Sequence, residues 1–287
     1  MAVVYDQSHG EPKLEEYYSS FSRSMTSRGY RVDVLNAKPL NLDELKGYKV
    51  LMISFPQKKF SDEEIKGIIN FVGDGGGLFV VGEEGNWGGF KEILNSLSKE
   101  FGITFNDDEV HDPTDSVGES YSVIHTMKEH PVLNEVEKFV IYGGCSLNVS
   151  GDAEAIATGD DDTFSTKDYY KAGDYPPVLA VSEYLDGRVL CIGDGSLFRN
   201  RFINEFYNKQ LALNIIEWLS RGKKAGAEAE EYTKEDILNE IDEIEKKYTQ
   251  LRDDYSEGKI NEDEYRGKIA EYGERLEELE KMLAELE

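Results

Sequence analysis

The stretch that decides the fold runs from Lys49-Val50-Leu51-Met52-Ile53-Ser54 through Ser61–Val72 to Leu78-Phe79-Val80-Val81-Gly82. Two apolar, β-branched runs flank a segment whose apolar side chains recur at helical spacing, a pattern typical of a β-α-β unit. Ser61 followed by Glu64 has the capping-box spacing of a helix start. Gly75-Gly76-Gly77 suits the tight turn into the second strand. The stretch therefore predicts two parallel strands joined by a helix.

The same alternation extends over the first 222 residues. Further strands are predicted at Ala2–Tyr5, Arg31–Leu35, Phe139–Tyr142, Ala153–Thr158, Pro177–Tyr184 and Val189–Gly193, and further helices at 13–28, 90–101 and 204–219. Asp186-Gly187 is a hairpin signal between the last two strands. The polar stretch 107–130 predicts irregular structure. The expected fold class is α/β, with a mostly parallel sheet covered by helices on both faces.

The pattern changes after Gly222, which predicts three parts. Residues 1–222 form the α/β domain, 223–231 are a linker, and 232–287 are a tail. Apolar residues in the tail alternate at spacings of four and three, which is a heptad seam and predicts an antiparallel coiled-coil hairpin. Two interpretations remain open, a solvated hairpin without a partner and an element that binds itself or a partner protein. In the second, the contacting residues are Ile237, Ile241, Ile244, Leu251, Ile269, Leu276, Leu279 and Leu283.

The composition excludes several classes of function. With 58 acidic against 32 basic residues the net charge is −26, too negative for general nucleic-acid binding. No apolar run is long enough to span a bilayer, so direct membrane insertion is not expected. A strand-like run begins at Ala2, which leaves no room for a secretory signal. The two cysteines, Cys145 and Cys191, lie in or beside apolar runs and predict buried thiols. We expect a cytoplasmic protein.

Polar residues follow the predicted parallel strands and indicate a candidate site. Ligands of such sheets bind at the carboxyl ends of the strands. The predicted ligand-binding residues are Asp6, Ser8, His9, Gly10, Phe55, Glu83, Glu84, Asn86, Trp87, Asp194 and Ser196. Acids, amides and an indole together suit a sugar-like polar ligand. The alternative is that Asp6, Asp194 and Ser196 only cap nearby backbone.

No cofactor or metal site is predicted. The Gly73–Gly77 run precedes a strand, so it does not match a dinucleotide fingerprint, and the P-loop pattern is absent from the sequence. His111, His125 and His130 lack the spacing of a structural zinc site. The alternative function is a metal- or carboxylate-dependent hydrolase that uses Asp6, His9, Glu84 and Asp194, with Glu83 as a further acid near any divalent ion.

Several motifs resemble a known family. They are Leu45–Ile53, Lys59–Glu64, Gly75–Glu83, Phe101–Asp108, Gly193–Phe198 and Asn214–Leu219, which together extend over most of residues 1–221. The chain resembles the glutamine-amidotransferase-like domain shared by an intraflagellar-transport subunit and by accessory proteins of gliding-motility ABC transporters. The resemblance implies a flavodoxin-like sheet. It also implies ligand or partner binding without catalysis, because the non-enzymatic members of the family are thought to act in that way.

The resemblance allows one test for glutaminase chemistry. Amidotransferases place a cysteine on a Gly-x-Cys-x-Gly elbow, and here the elbow is Gly82–Asn86 with Glu84 where the thiol would lie. Asp194 lies at the strand end that would supply the histidine. A carboxylate cannot act as a thiolate nucleophile, so we expect that the protein is not an enzyme. The expected function is a binding or assembly module that recognises a sugar-like ligand and self-associates or docks a partner through its tail.

Overall fold

The computed structural model describes residues 1–222 apart from 37–38 and 119–120. Beyond Gly222 it describes residues 241, 244, 246–248, 250–252, 254–255, 259–261, 264–265, 267–269, 272–273, 276 and 279. The chain divides into two compact units, Met1–Ala225 and Gly226–Glu287. The predicted linker, 223–231, lies outside the described residues.

The first unit alternates strands with helices. Its strands are β1 (Ala2–Asp6), β2 (Arg31–Leu35), β3 (Val50–Ser54), β4 (Gly77–Val81), β5 (Ile103–Phe105), β6 (Val110–His111), β7 (Ser116–Val117), β8 (Tyr121–Ile124), β9 (Thr126–Met127), β10 (Phe139–Ile141), β11 (Leu147–Val149), β12 (Glu154–Thr158), β13 (Phe164–Ser165), β14 (Pro177–Tyr184) and β15 (Gly187–Ile192). Its α-helices are α1 (Leu14–Tyr17), α2 (Ser19–Ser27), α3 (Leu42–Leu45), α4 (Asp62–Gly73), α5 (Phe90–Ser98) and α6 (Asn208–Ser220). Short 3₁₀ turns lie at Trp87–Gly89, Lys99–Phe101, Pro131–Leu133, Thr166–Asp168 and Ser196–Phe198.

An eight-stranded sheet forms the centre, in the order β2-β1-β3-β4-β15-β14-β12-β9. The strands from β2 to β15 pair in parallel, and those from β15 to β9 pair antiparallel. The parallel half has the strand order of flavodoxin-like sheets. The predicted α/β class with a large, mostly parallel central sheet is confirmed.

Two apolar cores cover the two faces of this sheet. One contains Phe21 and Met25 of α2 and Leu211 of α6. The other contains Ile68 of α4 and Leu94 of α5. Strands β1, β3 and β4 are buried along their whole length, because side chains on both of their faces pack under helices.

The hairpin between β14 and β15 forms one residue earlier than its sequence signal indicates. Tyr184 lies opposite Gly187, so the two loop residues are Leu185 and Asp186. Gly187 is the first residue of β15, and a Cβ there would overlap the carbonyl oxygen of Val72. This glycine therefore permits close packing against α4 and is not part of the loop.

Three other predictions need correction. The helix expected at 13–28 is interrupted at Tyr18, whose φ of −125° separates α1 from α2. The stretch 107–130 contains short strands that pair over long distances, for example Val110 with Ser165. Phe139–Ile141 belongs to a separate three-stranded sheet, β10-β8-β7.

The described residues of the second unit include a small apolar cluster. Ile244 and Leu279 are buried in it, and Ile241, Tyr248, Tyr272 and Leu276 pack against them. The rings of Tyr255 and Tyr265 stack at a centroid distance of 4.4 Å. Asn261 and Glu264 cap each other's backbone as a capping box.

Some residues of the heptad seam predicted for the tail are not among those that the structure describes. Ile237 and Leu283 lie outside the described residues, and the coiled-coil hairpin as a whole stays a prediction. Across the described parts of both units, no helix combines the length and apolar character needed to cross a membrane.

Candidate functional site

Asp6, Ser8 and His9 form a closed cluster at the carboxyl end of β1. The side chains of Asp6 and His9 are completely buried, and Nδ1 of His9 lies 2.7 Å from Oδ2 of Asp6. Ser8 donates to Oδ1 of Asp6 from its backbone N–H at 2.8 Å and from its hydroxyl at 2.7 Å. Burial acts to raise the pKa of Asp6, but hydrogen bonds from His9, Glu11 and Ser8 outweigh it and hold the pKa below its usual value.

Two glutamates that the sequence did not indicate as site residues complete this cluster. Oε2 of Glu11 accepts from the backbone N–H of His9 at 2.8 Å. Oε1 of Glu64 lies 3.3 Å from Nε2 of His9. Burial and the neighbouring Asp6 raise the pKa of Glu11 to about 9. Glu64 was predicted only as half of a capping box, which is confirmed, and Glu11 lies in a loop without a motif.

A second buried cluster lies beyond the ends of β4 and β15. Asp194 is fully buried and accepts from the backbone N–H groups of Tyr142 and Ser196, both at 2.6 Å. Burial raises the pKa of Asp194 to about 6, although those two hydrogen bonds oppose the rise. The alternative role for Asp194, that it only caps nearby backbone, matches these contacts.

Glu83 is held inside the same cluster by Arg199. One oxygen of Glu83 lies 2.8 Å from Nη2 of Arg199, and the hydroxyl of Ser196 lies 3.3 Å from it. Burial and the nearby charge of Asp194 raise the pKa of Glu83 to about 11, against the opposing effect of Arg199. Arg199 follows a short 3₁₀ turn and carries no sequence signal for this role.

The remaining predicted site residues lie nearer the surface. Trp87 is 69% exposed, and Gly10 is also exposed. Asn86 uses its side chain to bond Glu92 at 2.9 Å and the backbone of α5. Phe55 is half-buried against Phe90, with a ring distance of 4.3 Å. Glu84 is partly exposed.

These residues therefore lie at one edge of the sheet but do not form one site. Asp6 ends β1 and Asp194 follows β15, and these strands are three spacings of about 4.8 Å apart, roughly 14 Å. Ser54, at the end of the intervening β3, bonds the hydroxyl of Tyr18 at 3.1 Å. The structure does not bring Asp6 and His9 together with Asp194 and Glu84 as the hydrolase alternative requires. Ligand binding at this edge stays a prediction.

Both cysteines are fully buried free thiols, as predicted. Burial raises the pKa of Cys145 to about 11, although Lys91 opposes the rise. Burial also raises the pKa of Cys191. Neither thiol has the exposure or the low pKa of a nucleophilic cysteine.

The described domain also has clefts at the opposite edge of the sheet. One, of about 350 Å³, is lined by residues that include Leu45, Tyr48 and Phe71. The other, of about 330 Å³, is lined by residues that include Ile69, Tyr184 and Leu185. These clefts lie near the starts of β3, β4 and β15, away from the predicted site residues.

Residues 2–114 match the family model of the IFT52 GIFT domain. This match is confined to the N-terminal half of the α/β domain, and there it bears out the intraflagellar-transport part of the resemblance. The glutamine-amidotransferase-like part is not confirmed.

Individual proteins are similar over a longer part of the chain. A 238-residue alignment gives 26% identity to an uncharacterized protein of Aquifex aeolicus (strain VF5), covering 77% of this chain and 96% of that protein. The solved mmIFT52 N-terminal domain is similar with a TM-score of 0.67 at 18% identity, covering 78% of this chain and 99% of that one. A cytoplasmic protein of Salmonella typhimurium is similar with a TM-score of 0.54 at 20% identity, and the match covers 77% of this chain and 99% of that one. At these identities the structural matches establish a shared fold.

Proposed function

We propose that the α/β domain is a non-enzymatic, protein-binding module of an assembly, of the IFT52-like type. The observation that carries this proposal is that the acidic side chains at the strand ends hydrogen-bond to other groups of the protein itself. Asp6 and Asp194 are fully buried and accept their hydrogen bonds from protein groups. Such acids are structural parts of the domain, with no open position for a substrate. The family match over residues 2–114 supports the same function.

The elbow supports the absence of catalysis. The resemblance to amidotransferases implies that Glu84 lies where those enzymes have their thiol, and a carboxylate cannot replace that nucleophile in amide hydrolysis. Cys145 is buried with a raised pKa, so it does not substitute for the missing thiol.

Trp87 is our candidate contact for a partner protein. It is 69% exposed, and tryptophan is enriched among the residues that dominate binding energy at protein interfaces. Lys58 and Lys59 are exposed on the loop after β3, which also holds Gln57 close to Gly10 and Gly88. An exposed aromatic side chain suits a partner that offers an apolar pocket.

The test is quantitative isolation of the tagged full-length chain from its native cells after mild cross-linking. We expect a protein partner in near-stoichiometric amount, and Trp87→Ala should reduce its recovery at least tenfold. Tyr175→Ala is the matched control, because Tyr175 is also an exposed aromatic residue, 46% accessible, on another loop. The absence of a stoichiometric partner would reject the proposal, and so would measurable release of ammonia from glutamine by the purified protein.

A sugar-like ligand is the second candidate for the same surface. The exposed indole of Trp87 beside the partly exposed Asn86 favours it, because sugars stack on aromatic faces and bond amides. Titration with mono- and oligosaccharides should change the fluorescence of Trp87, whereas Trp218 is buried and serves as an internal reference. If Trp87→Ala does not remove the response, or if there is no response, this candidate is rejected.

A further inference from the structure

We infer that Asp6, His9 and Glu11 bind one divalent transition-metal ion inside the α/β domain. One donor atom from each of these three side chains lies within 4.8 Å of a donor atom from each of the other two. All three residues are more than nine-tenths buried, with Asp6 and His9 at 0% and Glu11 at 6% exposure. Together they offer one nitrogen and two carboxylate groups to a common point.

The hydrogen bonds in the cluster leave one carboxylate oxygen unsatisfied. Oε2 of Glu11 accepts from the backbone of His9, but Oε1 is buried and has no hydrogen-bond partner. Asp6 accepts from the backbone N–H and the hydroxyl of Ser8, and a hydrogen bond between Asp6 and Glu11 requires a proton on one of the two carboxyl groups. Two adjacent buried carboxyl groups are stable only with a shared proton or a cation between them. A cation between Asp6 and Glu11 would neutralise both carboxylates.

The imidazole is oriented for such an ion. Nδ1 of His9 lies on the side of Asp6, at 2.7 Å from Oδ2, and the hydroxyl of Ser8 is 3.0 Å away. Nε2, on the other side of the ring, has no well-aligned hydrogen bond but lies 3.3 Å from Oε1 of Glu64. With the ion on Nδ1, the Nε2 proton points toward Glu64. A carboxylate behind a ligating histidine is the usual arrangement around protein-bound metals.

The donor set selects the class of metal. One imidazole nitrogen with carboxylate oxygens suits zinc and similar divalent ions such as cobalt. Magnesium and calcium prefer oxygen ligands alone, and copper(I) prefers sulfur. Because the cluster is buried, we assign the ion a structural role. It would join the loop after β1 to the start of α4 through His9 and Glu64.

The test is the metal content of the purified full-length chain by inductively coupled plasma mass spectrometry. We expect about one equivalent of zinc per chain, either as isolated or after refolding with Zn²⁺. Refolding with Co²⁺ should produce visible d–d absorption. Removal of the metal should lower Tm by about 5–10 °C, the shift expected for a domain of this size that loses a tightly bound ion.

Variants identify the ligands. Glu11→Gln keeps the shape of the side chain but removes its charge, and it should reduce metal occupancy at least tenfold and abolish the cobalt absorption. Glu63→Gln is the control, because it makes the same chemical change at an exposed glutamate next to Glu64, and it should keep full occupancy. The inference is overturned if wild-type protein holds less than 0.1 equivalent under all conditions, which would mean that a proton lies between Asp6 and Glu11. It is also overturned if Glu11→Gln retains the metal.

Discussion

Glu64 connects three segments of the α/β domain, and we expect Glu64→Ala to be strongly destabilising. Oε2 accepts from the backbone N–H and the hydroxyl of Ser61, at 2.8 and 2.9 Å. Oε1 accepts from the backbone N–H of the fully buried Leu40 at 3.2 Å and lies 3.3 Å from His9. One side chain therefore links the start of α4 to the segment before α3 and to the loop after β1.

The magnitude follows from the groups left without a partner. The N–H of Leu40 is buried, and an unsatisfied buried donor costs about 1–3 kcal/mol. Loss of the capping interaction at Ser61 adds about 1 kcal/mol. We therefore expect Glu64→Ala to lower the free energy of unfolding by about 2–4 kcal/mol. Glu63→Ala is the control, because Glu63 is exposed in the same helical turn, and it should change stability by less than about 0.5 kcal/mol.

The assay is equilibrium unfolding in urea, followed by circular dichroism, from pH 3 to pH 7. Burial acts to raise the pKa of Glu64, but hydrogen bonds from Ser61 and Leu40 outweigh it and the pKa is lowered. A carboxyl group with a lowered pKa stabilises the fold above its unfolded-state pKa, and this contribution is lost as the pH falls through the folded-state value. The difference between wild type and Glu64→Ala should therefore shrink in acid. A difference from the Glu63 control below 1 kcal/mol at pH 7 would refute the reasoning.

Three further predictions concern other parts of the chain. Gly102→Ala should lower the free energy of unfolding in urea by about 2–4 kcal/mol, because φ is +78° and a Cβ would overlap the carbonyl oxygen of Ser150. Gly29 has a similar φ of +82° but open space around it, so the control Gly29→Ala should cost only about 1 kcal/mol. The raised pKa of Asp194, about 6 against 3.8, predicts that its contribution to stability falls as the pH rises from 4 to 6, and Asp194→Asn should flatten this slope in the same assay. Deletion of 232–287 should leave the α/β domain folded but reduce the number of subunits seen by light scattering; an unchanged subunit number would reject self-association through the tail.

Local signals in the sequence were sufficient to predict most of the fold. The β-branched runs that became β3 and β4 and the Ser61–Glu64 capping box depend on residues close together in the chain. The short strands between 107 and 130 were missed because strands of two to four residues carry too little periodicity to be recognised. Val110, for example, pairs with Ser165, and a contact over that separation leaves no local pattern.

The sequence predicted where the candidate site lies on the sheet but not which side chains contact each other within it. Strand order brings Asp6, Glu83 and Asp194 to one sheet edge, which the β-α-β pattern already indicates. Their partners come from distant positions or from loops without motifs. Tyr142, which donates to Asp194, is 52 residues away, and Arg199, which pairs with Glu83, is 116 residues away. Such pairs are decided by tertiary packing.

The buried pair of Glu83 and Arg199 limits how this domain can change during evolution. Replacing Arg199 alone leaves the buried Glu83 carboxyl group without its partner at 2.8 Å, and replacing Glu83 alone leaves the guanidinium without its acceptor, so either single change is destabilising. Replacing both together by apolar residues of similar size avoids that cost. Sequence change at these two positions should therefore be concerted.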